Sequence, residues 1–415
     1  MKKIIIFLFI IALAVGGYFI YSKYFSGIPK LEVEEEKINI DDIYIYGTHL
    51  NFKGNLVNEE NLDIVLYNGD FINYKINKKE DYFNLSDNVN EGIFLDNIPV
   101  GKYSMFLRST EKDEKDKDIY KYYVLNNITD YKDMTYYTFN SVGNKINITM
   151  DEDYGTLVMD VTQNTDNGIY DIVIDPGHGG MDSGAIKNNT YEADLTMKIA
   201  LKLQKEFKKK GFSVKLTHVE GQLSKNEKLN DYGTHGRAVI PFEVKAKYLF
   251  SIHLNSNISS KVHGIEIYTP DNIDYTFAKS LVSSLTKNEN IVYSTNRINR
   301  VFDGIYTRTF NENDIATSKK GFLDKGMKPY DVTEKSNYYY MIRETGAIIT
   351  GAYVDNRNED IPGNPYYNSN IGTESYLLEL AYLTNDSDYN NITKNSDDYV
   401  NPIVDTFNTF YNNLG

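Results

Sequence analysis

The grammar of the chain changes once, at the polar stretch Gln163-Asn164-Thr165-Asp166-Asn167-Gly168, and this limits the fold more than any other feature. Before it, from Ile38 to about Met159, short β-branched and aromatic runs (Asp42 to Tyr46, Asp63 to Tyr67, Tyr103 to Arg108) are broken by Asn, Asp and Gly clusters. After it, strands alternate with a helix. Tyr170 to Ile174 is a short apolar strand, and Leu195, Ile199, Leu203 and Phe207 then recur every four residues up to Gly211. Further strands are expected over Phe212 to Thr217, Tyr248 to Ile252, Gly264 to Tyr268 and Tyr376 to Leu383. The first pattern predicts a small all-β, sandwich-like domain over 28–165. In it, Gly92 to Tyr103 is expected to form two strands meeting at the Pro99-Val100-Gly101 loop. The second predicts an α/β domain over 166–415, a twisted, mostly parallel sheet flanked by helices. A length of 415 residues is ample for two cores. Residues 295–335 and 352–372 show no clear periodicity and read as insertions or lids.

At the start, Lys2 and Lys3 precede an uncharged run from Ile4 to Ser22, whose apolar part to Tyr21 would reach ~27 Å as helix. We expect a transmembrane anchor over 1–27 that is not cleaved, since the apolar run continues past the small residues Ala12-Leu13-Ala14 that a signal peptidase would need. The lysines orient its start to the cytoplasm. The expectation is thus a single-pass protein of the cell membrane, with its catalytic domain outside the cytoplasm. A net charge of -14 argues against nucleic acid as a partner, which Lys and Arg would have to neutralise. With no Cys, a thiolate nucleophile, a disulfide framework and a cysteine metal site are all excluded. Any metal must sit on imidazole and carboxylate.

Asp175-Pro176-Gly177-His178-Gly179-Gly180 follows a strand directly, so its glycines and proline prescribe a tight loop with His178 at the sheet's carboxyl edge, where α/β sheets bind ligands. A lone histidine in a loop usually does no more than fit its turn. Glu192, fourteen residues on, opens the first helix, where an acidic residue also suits the helix dipole. His253 ends the apolar strand before Leu254-Asn255-Ser256 and could equally be a buried, hydrogen-bonded histidine. Together, two imidazoles and one carboxylate at strand ends make the His2Glu set of a catalytic zinc, with a fourth position open. Glu379 lies inside the apolar run Ser375 to Leu383, where a carboxylate is costly unless it meets a metal, water or a partner such as Arg237 or Arg343. We read it as a general acid/base.

The segments IDPGHGGMDSGA, YEADLTMKIALKL, FSIHLNS and LLELAYLTN, in this order, resemble the zinc-dependent N-acetylmuramoyl-L-alanine amidases of the Amidase_3 family over roughly residues 170–412. By position, the resemblance implies one zinc ion on His178, Glu192 and His253 and a catalytic role for Glu379. It implies an α/β fold, and cleavage of the amide between muramic acid and L-alanine in peptidoglycan. The chain departs from the family at His218, where Arg is frequent, at Phe242, where Asn follows the arginine matched by Arg237, and at Ala381, where Gly follows the Glu-Leu pair. His49, His218, His235 and His263 match no motif and read as surface or structural. Zinc would make water nucleophilic at neutral pH, and Glu379 would carry its proton to the departing amine. Two alternatives remain at this level: a zinc peptidase acting on the stem peptide, and a non-catalytic, membrane-tethered wall-binding protein. A protein activator is left open.

Overall fold

In the computed structural model, the described residues are 29–126, 136–151, 153–163, 168–219, 236–237, 240–270, 273–307 and 373–414, with isolated positions between 313 and 320. The expected anchor over 1–27, His235, Arg343 and most of the two expected insertions lie outside them. Among the described residues no helix is long and apolar enough to cross a membrane.

The first body is all β: β1 (Lys37–Tyr46), β2 (His49–Asn55), β3 (Leu62–Tyr67), β4 (Phe71–Lys75), β5 (Asn77–Lys78), β6 (Tyr82–Asn84), β7 (Ile93–Phe94), β8 (Gly101–Lys112), β9 (Asp118–Asn126), β10 (Tyr136–Phe139), β11 (Lys145–Met150) and β12 (Leu157–Thr162). β1 joins two layers. Lys37–Asn39 run parallel to β9, and from Ile40 on the same strand pairs antiparallel with β2, with a register shift between Ile40 and Asp42. Such an irregularity re-aims a strand and lets it change layers. Ile45, Phe52, Phe83 and Ile93 from one layer share a core with Ile64, Met105, Leu125 and Met159 from the other. One expectation fails here. β7 pairs with β2 and is followed by a 3-10 turn, Leu95–Asn97, so the two halves of Gly92 to Tyr103 do not pair with each other.

The second body contains β13 (Ile172–Pro176), β14 (Ile186–Lys187), β15 (Thr190–Tyr191), α1 (Glu192–Lys209), β16 (Val214–Leu216), α2 (Ile240–Glu243), β17 (Tyr248–Asn255), β18 (Glu266–Tyr268), α3 (Thr276–Leu285), β19 (Arg300–Phe302), β20 (Ile305–Tyr306), β21 (Glu374–Tyr382), α4 (Asp386–Lys394) and α5 (Asp397–Asn412). The sheet order is β16-β13-β17-β21-β18-β20-β19. β16, β13, β17 and β21 are parallel, as expected, but β18 runs antiparallel to β21 and β19 antiparallel to β20. The sheet is therefore mixed, not mostly parallel. The polar loop between β17 and β18 carries no helix, so the chain reverses there without a crossover. β19 and β20 also occupy the start of what the sequence presents as an insertion.

α1 buries Leu195, Ile199, Leu203 and Phe207 against the sheet, as its four-residue spacing requires. α3 and α5 contribute Phe277, Leu281, Ile403 and Phe407 to the same core. The β body packs against the end of the sheet where β17 and β21 begin. Tyr46 joins that core, Tyr46 Oη accepts from the Ser375 amide at 3.3 Å, and Lys247 Nζ donates to Thr138 Oγ1 at 2.6 Å. The opposite ends of these strands, roughly 16 Å away at ~3.3 Å per residue, carry His253 and Glu379.

Candidate metal centre

The loop after β13, the start of α1 and the carboxyl-terminal part of β17 deliver three donor atoms to one point. His178 follows β13 in a left-handed backbone conformation (φ 64°), uncommon for a residue with a side chain and often found where a loop positions a functional group. Its Nε2 lies 3.1 Å from Glu192 Oε1, His253 Nδ1 lies 3.3 Å from the same oxygen, and the two imidazole nitrogens are 3.2 Å apart. Donors held about 2.05 Å from a tetrahedral ion stand about 3.3 Å from one another, so the triangle has the dimensions of a zinc site. Among the described residues, these three form the group of metal-ligand side chains close enough to share an ion. The His253 Nε2 atom is buried without a hydrogen-bond partner among the described residues.

The glycines of the loop are there for space. A Cβ on Gly177 would stand 2.6 Å from the His253 ring. Gly184 has φ +62°, and a Cβ there would come within 2.7 Å of both Glu192 and the His178 ring. Glu192 begins α1, its amide bonded to the Ala185 carbonyl at 2.9 Å, and Thr196 Oγ1 donates to the Gly177 carbonyl at 2.7 Å, fixing helix to loop. The Glu192 carboxylate accepts further bonds from the amides of Leu254 and Ala185. Burial opposes its charge, but the His178 and His253 rings outweigh that and hold it far below the usual carboxylate range. At His253, burial dominates and lowers the ring below its ordinary value, favouring the neutral form that binds metals.

Beneath the triangle lies a buried ion pair. Arg237 donates through Nε and Nη2 to the two Asp175 oxygens at 2.8 and 2.7 Å, and Thr217 and Ser251 hydroxyls add 2.7 and 2.9 Å bonds. Burial alone would raise Asp175, yet the guanidinium brings it down to about 2. Arg237 is thus engaged with Asp175, one of the two arginines the sequence offered to Glu379. Glu379 is buried, with Oε2 lacking a hydrogen-bond partner among the described residues, and pairs in register with His253 across β17 and β21. Burial first, then the Glu192 and Glu266 carboxylates, push it well above the usual carboxylate range.

All four residues singled out in the sequence therefore meet at one edge. Of the unassigned histidines, His49 and His218 are buried and His263 is partly exposed. Two neighbours escape a reading of the sequence. Asp182 accepts from His178 Nδ1 at 2.8 Å, and Glu266 lies across the sheet from Glu379. The first could have been sought as the carboxylate that orients a ligand histidine; the second carries no local signal, because strand direction is not written in an apolar triplet.

A His2Glu triangle beside a buried, unpartnered glutamate at the edge of a mixed α/β sheet is the constellation of a metal-dependent hydrolase. The family model of N-acetylmuramoyl-L-alanine amidases, Amidase_3, matches residues 172–406, and the chain belongs to that family. It is 31% identical over 119 residues to "Probable cell wall amidase LytH" of Staphylococcus aureus, a match covering 28% of this chain and 36% of that protein, so the aligned part spans about a third of these curated relatives. Among solved structures it is similar to the catalytic domain of CwlV from Bacillus (Paenibacillus) polymyxa var. colistinus, at 21% identity over 59% of this chain and 99% of that one (TM-score 0.38). It is also similar to amidase AmiC2 of Nostoc punctiforme, at 18% identity over 59% and 98% (TM-score 0.36).

Proposed function

We propose that the chain is a zinc-dependent hydrolase of the amide bond between N-acetylmuramic acid and L-alanine in bacterial peptidoglycan. The observation that carries this reading is the 3.1 to 3.3 Å triangle of His178, Glu192 and His253 with the unpartnered Glu379 oxygen on the adjoining strand, in a chain of the amidase family. When bound, zinc supplies Lewis acidity toward the scissile carbonyl, makes water a stronger acid and offsets the Glu192 charge that otherwise raises Glu379. Glu379 takes the proton from the attacking water and returns it to the nitrogen of L-alanine as the amide breaks. Asp182 orients the His178 imidazole, Glu192 would join the two rings as the third metal ligand, and Asp175, clamped by Arg237 and bonded to Ser251, keeps the ends of β13 and β17 at fixed spacing.

The residues before 28 serve as a single-pass membrane anchor in this reading, and the catalytic body works outside the cytoplasm on the wall. The apolar run of Ile4 to Tyr21 behind Lys2 and Lys3 supports this. The test is digestion of defined muropeptides by the zinc-loaded protein. Mass spectrometry must find muramic acid with a free lactyl carboxylate, and muramic acid still bearing an amino acid would instead mark a stem peptidase. Glu379→Ala should keep its zinc and release no L-alanine amino termini.

A further inference from the structure

Glu266, the first residue of β18, is fully buried, yet its side chain is a carboxylate. Asn255 Nδ2 and Tyr268 Oη donate to Oε2 at 3.1 and 2.8 Å, while Ser294 Oγ at 2.7 Å and the Tyr382 hydroxyl donate to Oε1. Four donors come close to filling the acceptor capacity of the group. They arrive from β17, β18, β21 and the loop after α3, so one side chain ties these four segments together near the end of β21.

The placement matters as much as the bonding. His253 pairs with Glu379 across β17 and β21, and Glu379 pairs with Glu266 across β21 and β18. Residues directly opposite in neighbouring strands present their side chains to the same face. His253, Glu379 and Glu266 therefore form a row, with Glu379 in the middle. The two glutamates are treated very differently by their surroundings: Glu266 accepts from four donors, whereas Glu379 Oε2 is buried with no hydrogen-bond partner among the described residues. If Glu266 were apolar, the Tyr382 and Ser294 hydroxyls would be released beside Glu379.

We propose that Glu266 is a positioning residue for Glu379. It engages the donors on its side of the row and presents a carboxylate there, so that Glu379 finds a partner only on the side of His253 and the metal triangle. The inference rests on the hydrolase reading above, with Glu379 as the group that moves the proton.

The test compares the full zinc-loaded chain with Glu266→Gln, Glu266→Asp and the double variant Tyr382→Phe/Ser294→Ala on a defined muropeptide. The Gln amide is nearly the same size but brings a donor that can capture Glu379. For Glu266→Gln, kcat should fall about 10- to 100-fold, the range expected when the support of a catalytic group is lost. KM, zinc stoichiometry and the visible spectrum of the cobalt-substituted protein should stay as in the wild type. Glu266→Asp, which keeps the carboxylate, should recover most of that loss. A kcat for Glu266→Gln within about twofold of wild type, or a fall that merely follows lost zinc or lowered Tm, overturns the proposal. Should Glu266→Gln not fold, Glu266→Ala decides, alone and added to the double variant: with the Tyr382 and Ser294 hydroxyls present kcat must fall with zinc unchanged, without them most of the loss must be recovered, and no fall or no recovery overturns the proposal. An inactive wild type would instead sink the amidase reading itself.

Discussion

His178 Nδ1 lies 2.8 Å from Asp182 Oδ2, and this contact leaves Nε2 as the nitrogen that faces Glu192 and His253. Burial would lower the His178 ring, but Glu192 and Asp182 together raise it above its ordinary value. Asp182→Ala should remove the partner that fixes the ring's tautomer and weaken zinc binding by about 10- to 100-fold. Competition with a chromophoric chelator measures this directly, and unchanged affinity would mean that the loop backbone alone orients the ring.

Gly184→Ala tests whether the loop has any slack. Its φ of +62° costs a side chain roughly 1–2 kcal/mol, and the new methyl would overlap Glu192 and His178. We expect zinc stoichiometry well below one per chain in metal analysis of the purified variant. Full occupancy would show that the triangle can relax.

Breaking the Asp175–Arg237 pair should be costly because both side chains are buried. Arg237→Met leaves Asp175 uncompensated, and such losses are typically about 3–5 kcal/mol. Urea denaturation should show a lowered midpoint, and Asp175→Asn added to Arg237→Met should recover part of it.

A pH effect is expected far from the centre. Glu374, the first residue of β21, accepts bonds from Asn90 Nδ2 at 3.1 Å and from the Tyr376 hydroxyl, and burial raises it to about 7. A carboxyl raised on folding favours the protonated native state. Its contribution is complete below its ordinary value near 4.5 and is lost as pH climbs through about 7. Thermal unfolding at pH 5 and at pH 8 should therefore differ more in the wild type than in Glu374→Gln. An equal difference in both would assign the effect to other groups.

Much of this was legible in the chain. Because those features are local, the four-residue spacing of Leu195 to Phe207 foretold α1, and the Gly-His-Gly loop and the charged residue in an apolar run marked His178 and Glu379 as candidates, which the fold places at one edge. Strand direction was not. β18 is buried on every residue, and such a strand reads the same whichever way it runs. Asp182 and Glu266 were missed for a related reason, since each matters only through a partner that the fold brings to it.

β21 lies between β17 and β18, yet it is the last strand of the sheet in the chain. Until it arrives, β16-β13-β17 and β18-β20-β19 share no edge. It acts as a keystone: pairing over such a sequence separation is among the slower steps of folding, and it is the same step that sets Glu379 beside His253. The proposed hydrolytic centre is therefore complete only once the sheet has closed. A chain interrupted anywhere before Glu374 would carry His178, Glu192 and His253 without Glu379, the proposed proton carrier.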